Sequence, residues 1–107
     1  MDQDFKKRLA TLFNEINKEI FRVGVHDQNI EIQDGKILIF SRSKRIPALD
    51  ALMDEHSELV FSIDYALSLK YKKLLKKKVE QEFDIKITAL FRDYDPGNER
   101  SCTVICY

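Results

Sequence analysis

Apolar positions recur every three to four residues over Asp4–Val23. Phe5, Leu9, Leu12, Phe13, Ile16 and Ile20 share one face at the 3.6-residue period. This predicts an amphipathic helix. Asp2 or Asp4 caps it and meets the positive end of its dipole. Gly24 is its natural stop, because glycine takes φ > 0 without penalty. The pattern then switches to alternation. Ile30 and Ile32 fall on one face of Asn29–Gln33, and Asp34-Gly35 is the favoured two-residue type I′ turn. Lys36–Ser41 returns with Ile37 and Ile39 on one face and Leu38 and Phe40 on the other. A strand apolar on both sides is expected to meet a helix or another chain with its outer face.

Ser41–Arg45 is a polar, basic connector. Pro47 suits the first turn of a short helix, with Ala48, Leu49, Ala51, Leu52 and Met53 as its apolar side. Asp54–His56 breaks the pattern, and Ser57 is a plausible N-cap for a long helix over Ser57–Phe83, about 40 Å if fully helical. Leu59, Phe61 and Ile63 also alternate like a strand. On a helical wheel, however, Val60, Ile63, Leu67, Tyr71, Leu74 and Leu75 cluster within a sector of about 120°, with Lys72, Lys73, Lys76 and Lys77 opposite. Helix is therefore the reading. Ile85–Arg92 and Arg100–Tyr107 form a second hairpin around Asp93–Glu99, where Pro96 fixes φ and Gly97 supplies the left-handed conformation.

The element order is αββ-ααββ. The two halves share that pattern without visible identity, so duplication stands only as a possibility. The economical fold is a single α+β domain over residues 1–107, in two layers: a four-stranded, mostly antiparallel sheet from two hairpins with helices on one face. Val104 and Ile105 point to opposite sides of the last strand. A second layer or a second subunit is expected on the other side, and a homodimer is the expected state. A chain of 107 residues buries roughly 60–70% of its unfolded surface, enough for one core without disulfides or a structural metal.

Composition narrows the function classes. Hydrophobic residues make up 44% and charged residues 34%, a soluble globular balance. Lys plus Arg equals Asp plus Glu, 18 each. Zero net charge gives no global steering field, which weighs against nucleic acid as a partner. On a strand, Cys102 and Cys106 lie about 13 Å apart on one face, too far to bridge. Reduced thiols in a cytosolic protein are expected. No apolar run reaches the roughly 18 residues of a membrane span, and the N-terminal stretch lacks the apolar core of a signal peptide. The expected location is cytoplasmic.

Little points to catalysis. His26 and His56 have no second ligand at metal-binding spacing, and a histidine at a helix boundary is usually solvated or capping. Asp93–Glu99 is acidic but has the wrong order and length for a calcium loop, so an acidic hairpin turn is the better reading. There is no glycine-rich phosphate loop and no Gly-x-Ser-x-Gly. The expectation is a non-enzyme without cofactor or metal. Lys70, Lys72, Lys73, Lys76, Lys77 and Lys78 are the one patch of interest. They form a solvated helix face partly balanced by Glu80 and Glu82, or a surface for anionic lipid or a protein partner, or one for nucleic-acid phosphates. The candidate contact surface is Arg42, Lys44, Arg45, Lys70, Lys72, Lys73, Lys76 and Lys77, with the Gly24–Asp27 and Ser41–Arg45 loops beside it.

Several stretches carry a family resemblance. A leading amphipathic helix ends at Phe21-Arg-Val-Gly24, and a hairpin with an acidic turn covers Ile30–Phe40. A long helix precedes a closing hairpin with Phe91-Arg-Asp93-Tyr-Asp-Pro-Gly-Asn-Glu99 and Val104-Ile-Cys-Tyr107. In element order and length the chain resembles the MpsC-like family, the C component of a sodium-translocating, membrane-potential-generating system. It departs from the family where Val23-Gly24-Val25-His26 replaces Gly-x-Gly-Pro, where Arg45-Ile-Pro-Ala48 replaces a Leu-Thr signature, and where Asp84 replaces a glycine. The resemblance implies a divergent member: an accessory or regulatory component acting through protein-protein contacts, with a protein partner at the membrane surface, and not itself a pump. The alternative is a nucleic-acid-binding module using the lysine-rich face. A third possibility is a small-ligand sensor with a pocket between helices and sheet.

Overall fold

The computed structural model describes residues 3–107; Asp2, one of the two expected caps, lies outside them. Helix α1 (Gln3–Phe21) carries Asp4 in its first turn and buries Leu9, Phe13 and Ile16, as its apolar period requires. It ends before Gly24. Arg22, not Gly24, takes the left-handed conformation (φ 61°), and its N–H donates to the Lys18 carbonyl at 2.9 Å. Gly24 serves close approach instead: a Cβ there would stand 2.9 Å from Asn14 Oδ1, the atom that accepts the Val25 N–H at 2.9 Å.

Strand β1 (His26–Gln33) starts earlier than the alternation suggests, across an irregularity at which Asp27 has φ 51°. It pairs with β2 (Lys36–Arg42) through the two-residue turn at Asp34-Gly35. Only Gly35 is left-handed there (φ 71°). A type I′ turn needs both central residues at positive φ, so that expectation is not met.

Helix α2 spans Pro47–Asp50 and α3 spans Met53–Phe83. The expected break at 54–56 contracts to one residue, His56 (φ −133°, ψ 41°), and α3 runs on through it. His56 is thus a kink where two helical segments meet, and the long segment runs from Ser57 to Phe83 as expected, with Ser57 as its first helical residue and not its cap. Residues 57–64 are helical, which removes the strand alternative. Tyr71, Leu75 and Val79 form the buried stripe, with Val60 buried nearer the N-terminus.

Strand β3 is Ala89–Asp95, shifted from the expected Ile85–Arg92. The cause is local. The Ile87 N–H donates to the Glu80 carboxylate at 2.9 Å, so the chain is tied to the end of α3 before it joins the sheet. Strand β4 is Arg100–Cys106. The turn between them is held by Asp95, which accepts from the Gly97 N–H at 3.1 Å and from Asn98 Nδ2 at 2.8 Å. These bonds, Asn98's foremost, hold its carboxyl below the usual carboxylate range. Glu99 (φ 54°), not Gly97, is the left-handed residue.

The sheet has the order β1-β2-β4-β3 and is antiparallel throughout. The two hairpins join through β2 and β4. Ile30, Ile37, Ile39 and Ile105 meet Leu9, Phe13 and Ile16 of α1 and Tyr71, Leu75 and Val79 of α3 in one core. Full burial of each aliphatic side chain contributes about 1.5–3 kcal/mol. The helices lie on one face, an α+β two-layer arrangement in the order αββ-ααββ. Among the described residues, no helix is long and apolar enough to cross a membrane.

Candidate functional site

Where β3 passes under the first half of α3, the helix-side surface of the sheet turns polar. Ser41 and Ser101 are buried and join hydroxyls at 2.7 Å. The Tyr94 hydroxyl donates to the Ser43 carbonyl at 2.9 Å. Arg92 lies on this same side, with its guanidinium carbon 4.8 Å from the Tyr71 ring centroid, 5.1 Å from Phe21 and 5.9 Å from Tyr94. Burial pulls its pKa below the ordinary arginine value. Burial likewise raises the Tyr94 phenol, with the Glu99 charge adding to it, and raises Tyr71 strongly.

A cavity of about 310 Å³ opens beside this arginine. Its walls come from Phe21 and Val23, from the Ser43–Leu49 connector, from Phe61, Asp64, Tyr65, Leu67 and Ser68 of α3, and from Arg92, Asp93, Tyr94 and Pro96. Arg45 crosses it: its side chain is only 7% exposed, and Nη2 bonds Asp64 Oδ2 at 2.6 Å. The Nε atoms of both Arg45 and Arg92 are buried without a hydrogen-bond partner. The arrangement offers charged N–H donors and aromatic surface.

The expected contact residues separate into three places. Lys44 and Arg45 line the cavity. Arg42 lies on the opposite face of β2, 3.8 Å from Asp27. Lys70, Lys73, Lys76 and Lys77 project from α3 into solvent, with Lys72 half-buried. Among the described residues none of these five lysines is in an ion pair, whereas Lys78 meets Glu19 at 3.4 Å. His26 and His56 are exposed. No group of three or more His, Cys, Asp or Glu side chains among the described residues is placed to hold a metal ion. Arg92 was absent from the sequence-derived set; its one signal there is a charge inside an apolar strand segment.

Among the described residues, the second face of the sheet carries no helix. Phe91, Val104 and Leu38 are cross-strand neighbours in register, as are Cys102 and Phe40. Phe91 is 59% and Phe40 41% exposed. Both cysteines lie on this face as free thiols, and burial together with the Asp93 charge pushes the Cys102 thiol pKa up. Around the apolar centre, Lys36, Arg42 and Arg100 balance Glu31, Asp93 and Asp95. Comparison with protein-family models, curated proteins and solved structures finds no match to this chain.

Proposed function

We propose that this chain is a non-enzymatic accessory or regulatory domain of the MpsC-like type, working in the cytoplasm through protein contacts, and that its first partner is a second copy of itself. The observation that carries the reading is the bare sheet face, with Phe91, Val104, Leu38, Phe40 and Cys102 contiguous across three strands. Large contiguous apolar patches mark interaction surfaces. A second copy suits this one because an isologous contact needs a self-complementary patch, and the rim is charge-balanced. A membrane surface or a polyanion would call for a single sign.

Size sets the strength. Four strands about 4.8 Å apart and seven residues at about 3.3 Å each give a face of roughly 19 by 23 Å. Two such faces bury about 900 Å² in projection, in the range of weak, exchanging complexes. Light scattering across a dilution series is expected to show mass rising from one chain to two. Phe91→Glu places a charge within the apolar patch, at its most exposed aromatic, and is expected to hold the protein at one chain. A wild type that stays monomeric at every concentration overturns the reading.

The unpaired lysines of α3 favour a second reading, nucleic-acid binding through Lys70, Lys72, Lys73, Lys76 and Lys77. Its affinity would fall steeply with salt, and Lys73→Glu with Lys77→Glu would abolish it. The same pair of changes leaves the dimer mass unaltered. Flat titrations with RNA and DNA at low salt dispose of this second reading.

A further inference from the structure

We propose that the cavity between α3, the 43–49 connector and β3 binds a small organic monocarboxylate, its carboxylate paired with Arg92 and its apolar body against Phe61 and Tyr65. The site lies on the helix side of the sheet, so it is independent of self-association through the bare face.

Arg92 is the starting point. Among the described residues its side chain has no ion pair and no hydrogen bond, and its Nε–H is sealed from solvent without an acceptor. Its contacts are the faces of Phe21, Tyr71 and Tyr94. Aromatic faces attract a cation but accept none of the directional bonds a guanidinium can make. Arg92 is half-buried, and a charge partly withdrawn from water without such bonds is poorly compensated. The nearby carboxylates are already engaged: Asp64 is bonded to Arg45 at 2.6 Å, and Asp93 accepts the Tyr94 N–H at 2.9 Å. Arg45 repeats the theme at the same cavity, with its Nε–H also buried and unpartnered. The Nη groups of Arg92, unlike its sealed Nε, remain accessible at the cavity it lines and have no acceptor within the protein, so they are open to one that comes from outside.

Charge and shape name its class. The charged side chains on the helix side of the lining are Lys44, Arg45 and Arg92 against Asp64, and Asp93 alternates to the bare face beside Cys102, so the cavity is net positive and takes an anion. With Arg45 already paired to Asp64, a single negative charge meets the one unpaired guanidinium, Arg92. Carboxylate is the monoanion whose two oxygens match the planar fork of arginine. The remaining wall, with Phe21, Ile46, Leu49, Phe61, Tyr65 and Leu67, asks for an apolar or aromatic body. A volume of about 310 Å³ sits at the lower end for ligand pockets, so the ligand is small.

The test is an amide chemical-shift titration of the full chain with acetate, 3-methylbutanoate and phenylacetate. Phenylacetamide serves as the neutral analogue and inorganic phosphate as the dianion. The acids are expected to shift the amides of Ser43, Arg45, Ser68 and Tyr94 to saturation, phenylacetate most tightly. Phenylacetamide is expected to bind about 10- to 100-fold more weakly, the worth of a hydrogen bond to a charged group. Arg92→Met should lose phenylacetate by a similar factor. Tyr65→Ala, at a side chain 68% exposed and so safe for folding, should weaken phenylacetate and leave acetate unchanged. The proposal is overturned if no acid shifts these amides, if phenylacetamide binds as tightly as phenylacetate, if phosphate outcompetes the carboxylates, or if Tyr65→Ala weakens acetate and phenylacetate equally.

Discussion

Tyr71 is fully buried beneath α1, with its hydroxyl 3.4 Å from Asn17 Nδ2 and the Arg92 guanidinium over its ring. Asn17 in turn donates to the Phe13 carbonyl at 2.8 Å, which fixes the amide. Burial raises the phenol pKa despite the opposing pull of Arg92. A raised folded-state pKa gives stability that is whole below the unfolded phenol value of about 10 and is lost as pH climbs past it, because the unfolded chain releases a proton that the folded chain keeps. Urea midpoints are therefore expected to fall between about pH 9 and pH 11. Tyr71→Phe should flatten that fall, at a cost near neutral pH of about 1 kcal/mol for the lost hydrogen bond. Tyr94, raised in the same direction, leaves a residual slope. An unchanged alkaline fall in the variant would show that another group controls it. Tyr71 was legible as a core position, since it shares a helical face with Leu67, Leu74 and Leu75. Its polar neighbours were not, because Asn17 and Arg92 reach it from elements far apart in the chain.

At the scale of elements, β3 explains why the arginine went unseen. An unbroken strand over 85–92 would put Ile85, Ile87, Ala89 and Phe91 on one face and Arg92 on the other, in solvent. The chain instead buries Ile87 while tied to Glu80 and enters the sheet only at Ala89. The two isoleucines thus pack before the strand begins, Phe91 turns to the bare face, and Arg92 turns under the helices. Alternation reports a period; it does not report a side-chain capture that resets it. The end of α3 has a related cause. Asp84 holds the left-handed conformation (φ 52°, ψ 42°) just past the last helical residue, the position that glycine favours. A non-glycine residue there costs about 1–2 kcal/mol. Asp84→Gly is expected to raise stability by about 1 kcal/mol, read as a higher denaturation midpoint at unchanged m-value; a lower midpoint would mean that the Asp84 side chain contributes more than its backbone strain costs.

For the whole molecule, the long dimension of 45 Å follows α3, whose segment beyond the His56 kink is about 40 Å long at about 1.5 Å per residue. The sheet hangs beneath it with one side dressed and one bare. This much was readable in advance. Residues 36–41 and 100–107 are apolar on both faces, and they are the two central strands, β2 and β4, each flanked on both sides. The helices' single apolar stripes fix a single helical layer. What the pattern cannot distinguish is a missing helix from a missing partner on the second face, since both leave the same apolar residues. Cys102 and Cys106 stand on that face and are the only cysteines, so they report directly on whether it is covered. The decisive measurement is the rate at which these native thiols react with excess thiol reagent as the protein is diluted. If two copies close over the sheet, the rate constant rises on dilution and is already high and concentration-independent in Phe91→Glu. A rate constant in wild type that stays the same at every concentration, and equals that of Phe91→Glu, would contradict the paired sheet face on which this account rests.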